Sequence, residues 1–317
     1  MSQVFADEAL AGIAAGTSPF GSADVGAIRA AIAARAAGRP RGPEMHEVRE
    51  VALPTCPGRT YRPAAGPAPL VVFLHGGGWS VGDVDAFDRP VRRLAAASGA
   101  DVLAVDHRLA PEQPWPASVD DTVAALRHVA DGGLGAVPPA VVVCGDSAGG
   151  TLAALACLRL REEAPYALPD LQVLVYPNAD LSDTTSPSMR EKATGFGLDA
   201  ASATFFARLW VGGDETRLRD PRVSPLHAPD LSGLPPAVVV TAEHDPIRDP
   251  AEAYARRLDA AGVPTTLRRE PGMIHNFLQF DELSPAAAAA ADRVAADVAG
   301  VGSPRPGARG RGRAARP

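Results

Sequence analysis

The stretch Gly145-Asp146-Ser147-Ala148-Gly149 decides the fold. It follows the apolar run Ala140-Val141-Val142-Val143-Cys144 and opens a helix-prone segment over 150–161. Glycines two places before and two places after the serine let a strand turn sharply into a helix, which holds the Ser147 hydroxyl exposed on a strained bend. Such a serine is set up as a nucleophile when a strand precedes it and a helix follows it. The flanking sequence meets both conditions.

Around this bend, short β-prone runs recur at 47–53, 70–74, 101–105, 140–144, 171–175, 237–241 and 265–270. Several are continuous apolar runs, the pattern of strands buried on both faces of a parallel sheet. Helical patterns lie between or beside them, at 87–98, 117–130, 150–161, 249–261 and 285–298. The alternation predicts a doubly wound α/β sheet with right-handed crossovers. One connection breaks the rhythm: about sixty residues between Tyr176 and Pro236, with a helical piece at 199–210, are too long for an ordinary loop. An insertion of that length predicts a functional lid or cap. Residues 1–45 alternate Ala-rich helical stretches, such as 24–37, with breaks at Ser18-Pro19 and Gly38-Arg39-Pro40, and predict a small helical cap. From Gly302 the chain is rich in Gly, Pro and Arg without apolar periodicity, which predicts a disordered, solvated tail.

The 317 residues are enough for a sizeable core, and 46% apolar with 21% charged residues is ordinary for a soluble globular protein. A formal net charge of −6 argues against nucleic acid as the main partner and favours a small polar or neutral molecule. The first residues, Met1-Ser2-Gln3-Val4-Phe5-Ala6-Asp7-Glu8, lack a basic n-region and a long apolar h-region. No stretch approaches the roughly 18 apolar residues of a membrane span. A cytoplasmic protein with no membrane partner is therefore expected. The three cysteines Cys56, Cys144 and Cys157 cannot all pair, and buried reduced thiols are the simplest reading.

A second motif, His75-Gly76-Gly77-Gly78-Trp79, directly follows the run at 70–74. It reads as a loop that aims backbone N–H groups at an oxyanion. Such donors are effective because they need no reorganisation as negative charge develops on a carbonyl oxygen. The α/β-hydrolase pattern puts a further donor on the residue after the nucleophile, here Ala148. A phosphate cradle is the competing reading, but the loop lacks a phosphate-loop lysine.

A serine nucleophile needs a base, and the base needs an orienting carboxylate. The chain order of this fold is Ser, then Asp or Glu, then His. Of the downstream histidines, His227 falls in the Pro-rich insertion, and His244 adjoins Asp245 and cannot easily face it. His275, just past the last β-prone run, lies where the carboxyl ends of the strands place α/β sites. For the acid, both Asp245 and Asp249 are available in Glu243-His244-Asp245-Pro246-Ile247-Arg248-Asp249. The short distance from the strand end and Pro246 favour Asp245, with Asp249 as the N-cap of the following helix.

Taken together, these segments resemble the bacterial hormone-sensitive-lipase-like esterases of the α/β-hydrolase superfamily over about residues 45–298. The resemblance is carried by the His75–Trp79 loop, by Asp106-His107-Arg108-Leu109-Ala110-Pro111-Glu112, by the Ser147 bend, by Asp245-Pro246-Ile247-Arg248-Asp249 and by His275-Asn276-Phe277. It implies an α/β-hydrolase fold: a mostly parallel eight-stranded sheet flanked by helices, with core segments 46–177 and 226–300. It also implies a cap from 1–45 and 178–225, and leaves 301–317 as the tail. It implies a Ser147, Asp245, His275 triad and an oxyanion hole from the N–H groups of Gly77, Gly78 and Ala148. The activity implied is hydrolysis of small-molecule carboxylic esters of short acyl chains, with no metal and no cofactor. Removal of N-acetyl groups from a specialised metabolite by the same triad is the alternative. A non-catalytic receptor, as in the plant gibberellin receptors, is disfavoured because those lose the catalytic histidine. A homodimer stays open. Two departures from the family are visible: His107 in place of the usual tyrosine, and Asn276 in place of the usual glycine.

Overall fold

The computed structural model describes residues 5–16 and 24–302. The tail expected from 301 onward therefore lies almost wholly outside the described residues. Eight strands form one sheet: β1 (Glu47–Ala52), β2 (Pro57–Arg62), β3 (Leu70–Leu74), β4 (Asp101–Val105), β5 (Val141–Asp146), β6 (Leu171–Val175), β7 (Ala237–His244) and β8 (Thr265–Ile274). Their order is β1-β2-β4-β3-β5-β6-β7-β8. Pairing is parallel from β4 through β8, while β2 pairs antiparallel with both β1 and β4 and so runs alone against the rest.

Seven of these strands coincide with β-prone runs. β2 was not anticipated: it opens on Pro57-Gly58 and buries only Gly58 and Tyr61, so it carries little of the apolar patterning that marks a strand. Proline is tolerated at a first strand position, where a missing N–H costs least.

The described helices are α1 (Glu8–Ala15), α2 (Val25–Ala37), α3 (Asp88–Ser98), α4 (Ala117–Ala130), α5 (Ala148–Glu163), α6 (Pro187–Glu191), α7 (Ala200–Trp210), α8 (Arg248–Ala260) and α9 (Pro285–Ala299). Side chains that alternate along the strands split the core into two layers. Val72 and Leu74 of β3 join Leu126, Leu152 and Leu258 of α4, α5 and α8 on one face. Val71 and Phe73 join Val91 of α3, Val294 of α9 and Leu10 of α1 on the other. All five residues of β3 and of β6 are buried, as continuous apolar runs predict for strands covered on both sides.

The chain winds outward from β3 to β4 on one side and from β5 to β8 on the other. β3 and β5 are neighbours, so the loops at their carboxyl ends flank the crevice at the switch point of the sheet. One loop carries His75–Trp79 and the other Ser147.

The segments outside this frame attach by specific contacts. α2 buries Ile28 against Val81 and Phe206 of α7. The Arg29 guanidinium donates to the carbonyls of Ser80 (2.8 Å) and Ala110 (3.0 Å) and forks onto Glu112 at 2.7 and 2.8 Å. Asp7 caps α1 through the Leu10 N–H and also accepts from the Ser284 hydroxyl at 2.6 Å. All three cysteines are buried and unpaired.

One local expectation is corrected. α8 starts at Arg248, so Asp249 is not an N-cap but lies inside the first turn. Its carboxylate, favoured near the positive end of the helix, accepts the N–H of Ser188 at 2.8 Å and so ties α6 to the start of α8.

Candidate active site

β5 ends at Asp146 and α5 begins at Ala148, so Ser147 is the whole bend between them. It takes φ 53° and ψ −120°, a conformation in which few non-glycine residues are found. The surroundings hold it there: its N–H donates to Val175 O of β6 at 2.8 Å. Close packing sets the glycine requirement next to it. A Cβ on Gly149 would overlap the Leu74 carbonyl at the end of β3, so the helix can approach the sheet only with glycine at that position.

β7 ends at His244 and delivers Asp245 to the same edge; β8 ends at Ile274 and delivers His275. The His275 Nε2 stands 2.9 Å from Ser147 Oγ, and its Nδ1 stands 2.6 Å from Asp245 Oδ2. The second Asp245 oxygen accepts the Ile247 N–H at 3.0 Å, which fixes the carboxylate. Asp245, His275 and Ser147 are all buried, and Ser147 and His275 line a small cavity. The histidines set aside in the sequence lie elsewhere: His227 is 3.0 Å from Asp180, and His244 packs between the rings of Phe5 and Phe196. Asn276 takes φ 64°. That left-handed turn explains the glycine usual at this position, and asparagine is among the residues that adopt it at least cost.

Gly77, Gly78 and Ala148 line the same small cavity as Ser147 and His275. Among the described residues their N–H groups have no backbone partner, so they remain available to an oxygen placed between the loop and the start of α5. Gly78 has φ 58°, and a Cβ there would overlap the Phe206 ring of α7.

Asp146 locks the two loops together. Its Oδ1 accepts the Gly76 N–H at 2.8 Å, and the Tyr176 hydroxyl donates to Oδ2 at 3.4 Å. Burial pushes the Asp146 carboxyl up to about 7, against the opposing pull of the Gly76 N–H and of His275. The Tyr176 ring in turn lies 4.8 Å from the His275 ring. Beneath the glycine loop, His75 and His107 stack at 4.1 Å, and burial holds both below the ordinary histidine range. Position 107 thus serves as a flat ring against His75.

The cavity at Ser147 is about 30 Å³ and shares Gly77 and Asn276 with a second cavity of about 520 Å³. Apolar residues of α1 and α2, Ile13 and Ile32 among them, line the larger one. Arg39 braces its wall, with Nη2 donating to Gln279 O at 3.0 Å and the guanidinium forking onto Glu282. Sequence reasoning did not find the supports from the long insertion. The Ser188 hydroxyl donates to Pro246 O at 2.7 Å beside Asp245, and Phe206 and Asn178 line the small cavity. These residues follow no motif; only the spatial return of the insertion to the crevice marks them.

A family model described as alpha/beta hydrolase fold matches residues 71–279. The chain is 41% identical to carboxylic ester hydrolase LipN of Mycobacterium tuberculosis over 78% of its own length and 69% of that protein's. It is 43% identical to carboxylesterase NlhH of the same species, over 71% of each. A solved ester hydrolase from the metagenome of Lake Arreo, in complex with a derivative of bipyridine phosphonate, superposes with TM-score 0.82 at 38% identity, covering 90% of this chain and 92% of that one. The glycine loop after β3, the serine bend after β5 and the Asp–His pair after β7 and β8 thus occur in a chain that belongs to the alpha/beta hydrolase fold family, in its bacterial hormone-sensitive-lipase-like branch.

Proposed function

We propose that the protein is a serine hydrolase of carboxylic esters with short acyl groups. The observation that carries this reading is the continuous chain from Asp245 through His275 to Ser147 Oγ, at 2.6 and 2.9 Å. In the proposed reaction Ser147 Oγ attacks the ester carbonyl while His275 Nε2 takes its proton. Asp245 holds the imidazole with Nδ1 protonated and stabilises the imidazolium. The N–H groups of Gly77, Gly78 and Ala148 receive the oxyanion. His275 then protonates the leaving alcohol, and water repeats the sequence on the acyl-enzyme to release the acid and free Ser147.

The volume beside Ser147 supports the short acyl group. At roughly 10–15 Å³ for each water-sized occupant, about 30 Å³ accepts about two such units beyond the carbonyl. The cavity of about 520 Å³ suits the larger alcohol portion. In this reading residues 1–45 and 178–225 act as a cap on a core of 46–177 and 226–300. The three unpaired buried cysteines support a cytoplasmic setting.

Ser147→Ala and wild type, compared on p-nitrophenyl acetate and butyrate, test the mechanism. The variant is expected to lose about 10⁴-fold or more in kcat. Full activity in Ser147→Ala would overturn it. Across acyl lengths, kcat/KM is expected to fall beyond butyrate, and a maximum at octanoate or longer would overturn the short-acyl assignment.

A further inference from the structure

The cavity of about 520 Å³ beside the Ser147 site is apolar over much of its wall, with Ile13, Ile32, Val81, Phe87 and Phe280 among its residues. Two arginines break that pattern: Arg35 in the last turn of α2 and Arg39 just past its end. Their guanidinium groups converge on one acceptor. The Gln279 carbonyl oxygen takes Nη2 of Arg39 at 3.0 Å and, in a longer contact, Nη2 of Arg35 at 3.4 Å. Gln279 lines the cavity, and so does Phe280, whose ring centroid lies 5.3 Å from the Arg35 guanidinium carbon. Both contacts place the charged end of Arg35 at the cavity wall.

The two arginines are unequally neutralised. Arg39 forks onto Glu282 with both bonds at 2.7 Å, and Asp281 sits closer to Arg89, at 2.9 Å, than to Arg39, at 3.5 Å. Arg35 joins no carboxylate: among the described residues its guanidinium has the Gln279 carbonyl and the Phe280 ring. Asp199, just before α7, lines the same cavity but pairs with neither arginine. Desolvation, and after it the charge of Arg39, hold the Arg35 guanidinium below the ordinary arginine range against the pull of Glu282. The group nonetheless stays protonated, because arginine does not lose its charge in proteins. An anion at this wall would relieve the repulsion. A guanidinium offers a planar fork of donors that matches a carboxylate through two parallel bonds.

Resting on the ester-hydrolase reading, we propose that the alcohol portion of the substrate carries a carboxylate that pairs with Arg35, so that the substrates are short-acyl esters of hydroxycarboxylic acids. The scissile carbonyl stands at Ser147, and the carbon stem runs past Gly77 and Asn276, which the two cavities share. The apolar wall covers the stem, and the carboxylate ends at Arg35. An ammonium in its place would meet two guanidinium groups. A primary amide of the same shape would leave the Arg35 charge unmatched.

Acetate esters of 4-hydroxybutanoate, 6-hydroxyhexanoate and 8-hydroxyoctanoate, each beside its primary amide and the amine of like length, test the proposal with the full chain. Carboxylate and amide have nearly the same shape, so the ratio of their kcat/KM values isolates the ionic contact. The ratio for hydroxide alone corrects for intrinsic reactivity. At the best length the corrected wild-type ratio is expected to reach about fivefold or more, to fall toward unity in Arg35→Gln and to recover in part in Arg35→Lys. It is also expected to shrink as salt rises from about 0.01 M to about 1 M, since the pair is open to solvent. A wild-type ratio below about twofold at every length, a ratio that survives Arg35→Gln, or a preference for the amine overturns the proposal. So does turnover of p-nitrophenyl acetate with none of the series. Should Arg35→Gln not fold, the wild-type ratio and its salt dependence decide. Absence of turnover on every ester, p-nitrophenyl acetate included, overturns the ester-hydrolase reading instead.

Discussion

At the scale of single residues, orientation matters as much as presence. Asp245 is fixed by its bond to the Ile247 N–H and points one oxygen at His275. Asp245→Asn keeps the shape but favours the wrong imidazole tautomer, so kcat on a short ester is expected to drop by about 10⁴ with the fold intact by circular dichroism. Asp146 makes a different prediction. Burial raises its carboxyl from the ordinary carboxylate range to about 7 in the folded protein, so its contribution to stability is fully present below that ordinary range. That contribution is lost as pH rises toward about 7. Asp146→Asn keeps an oxygen for the Gly76 N–H without the titration. Denaturant midpoints at pH 5 and pH 8 are therefore expected to shift in favour of the variant, relative to wild type, at the higher pH.

At the scale of elements, two close approaches allow no side chain. α5 meets the end of β3 at Gly149, and α7 meets the glycine loop at Gly78, where the Phe206 ring occupies the place of a Cβ. Gly78→Ala also carries strain from φ 58°. It is expected to displace the loop and lower kcat by about 10²-fold or more, the scale of one lost oxyanion donor. Stopped-flow acylation of Ser147 would measure this, and an unchanged rate would separate Gly78 from the oxyanion site. The β-prone runs and helix patterns forecast these elements because buried parallel strands and amphipathic helices carry strong periodicity. β2 lacked that signal, and α8 begins two residues too early for Asp249 to cap it.

At the scale of the whole molecule, α2 closes one wall of the larger cavity and is held by the packing of Ile28 and by the bonds of Arg29. The exposed ion pair with Glu112 contributes little, about 0–1 kcal/mol. The bonds to two backbone carbonyls contribute more, because they join α2 to the glycine loop and to the segment after β4. Arg29→Ala is expected to speed hydrogen exchange in α2 by about tenfold with little change around α5. Its KM for esters of bulky alcohols should rise more than its KM for methyl esters.

Sequence by itself determined the α/β class, the serine bend, the glycine loop and the order in which acid and histidine follow. These are local properties: a chain that turns from strand to helix through a serine needs small residues on both sides, and strands buried on two faces need continuous apolar runs. Choosing among His227, His244 and His275 rested on position along the chain, and tertiary structure supplied the distances. Only the tertiary structure decided what surrounds Ser147. Phe206, Asn178 and Ser188 come from an insertion without motif or period, and reach the crevice because that insertion folds back over the carboxyl edge of the sheet. The same return brings Asn178 to the cavity that Trp79, 99 residues earlier in the chain, also lines, because long-range packing and not local propensity sets which residues meet.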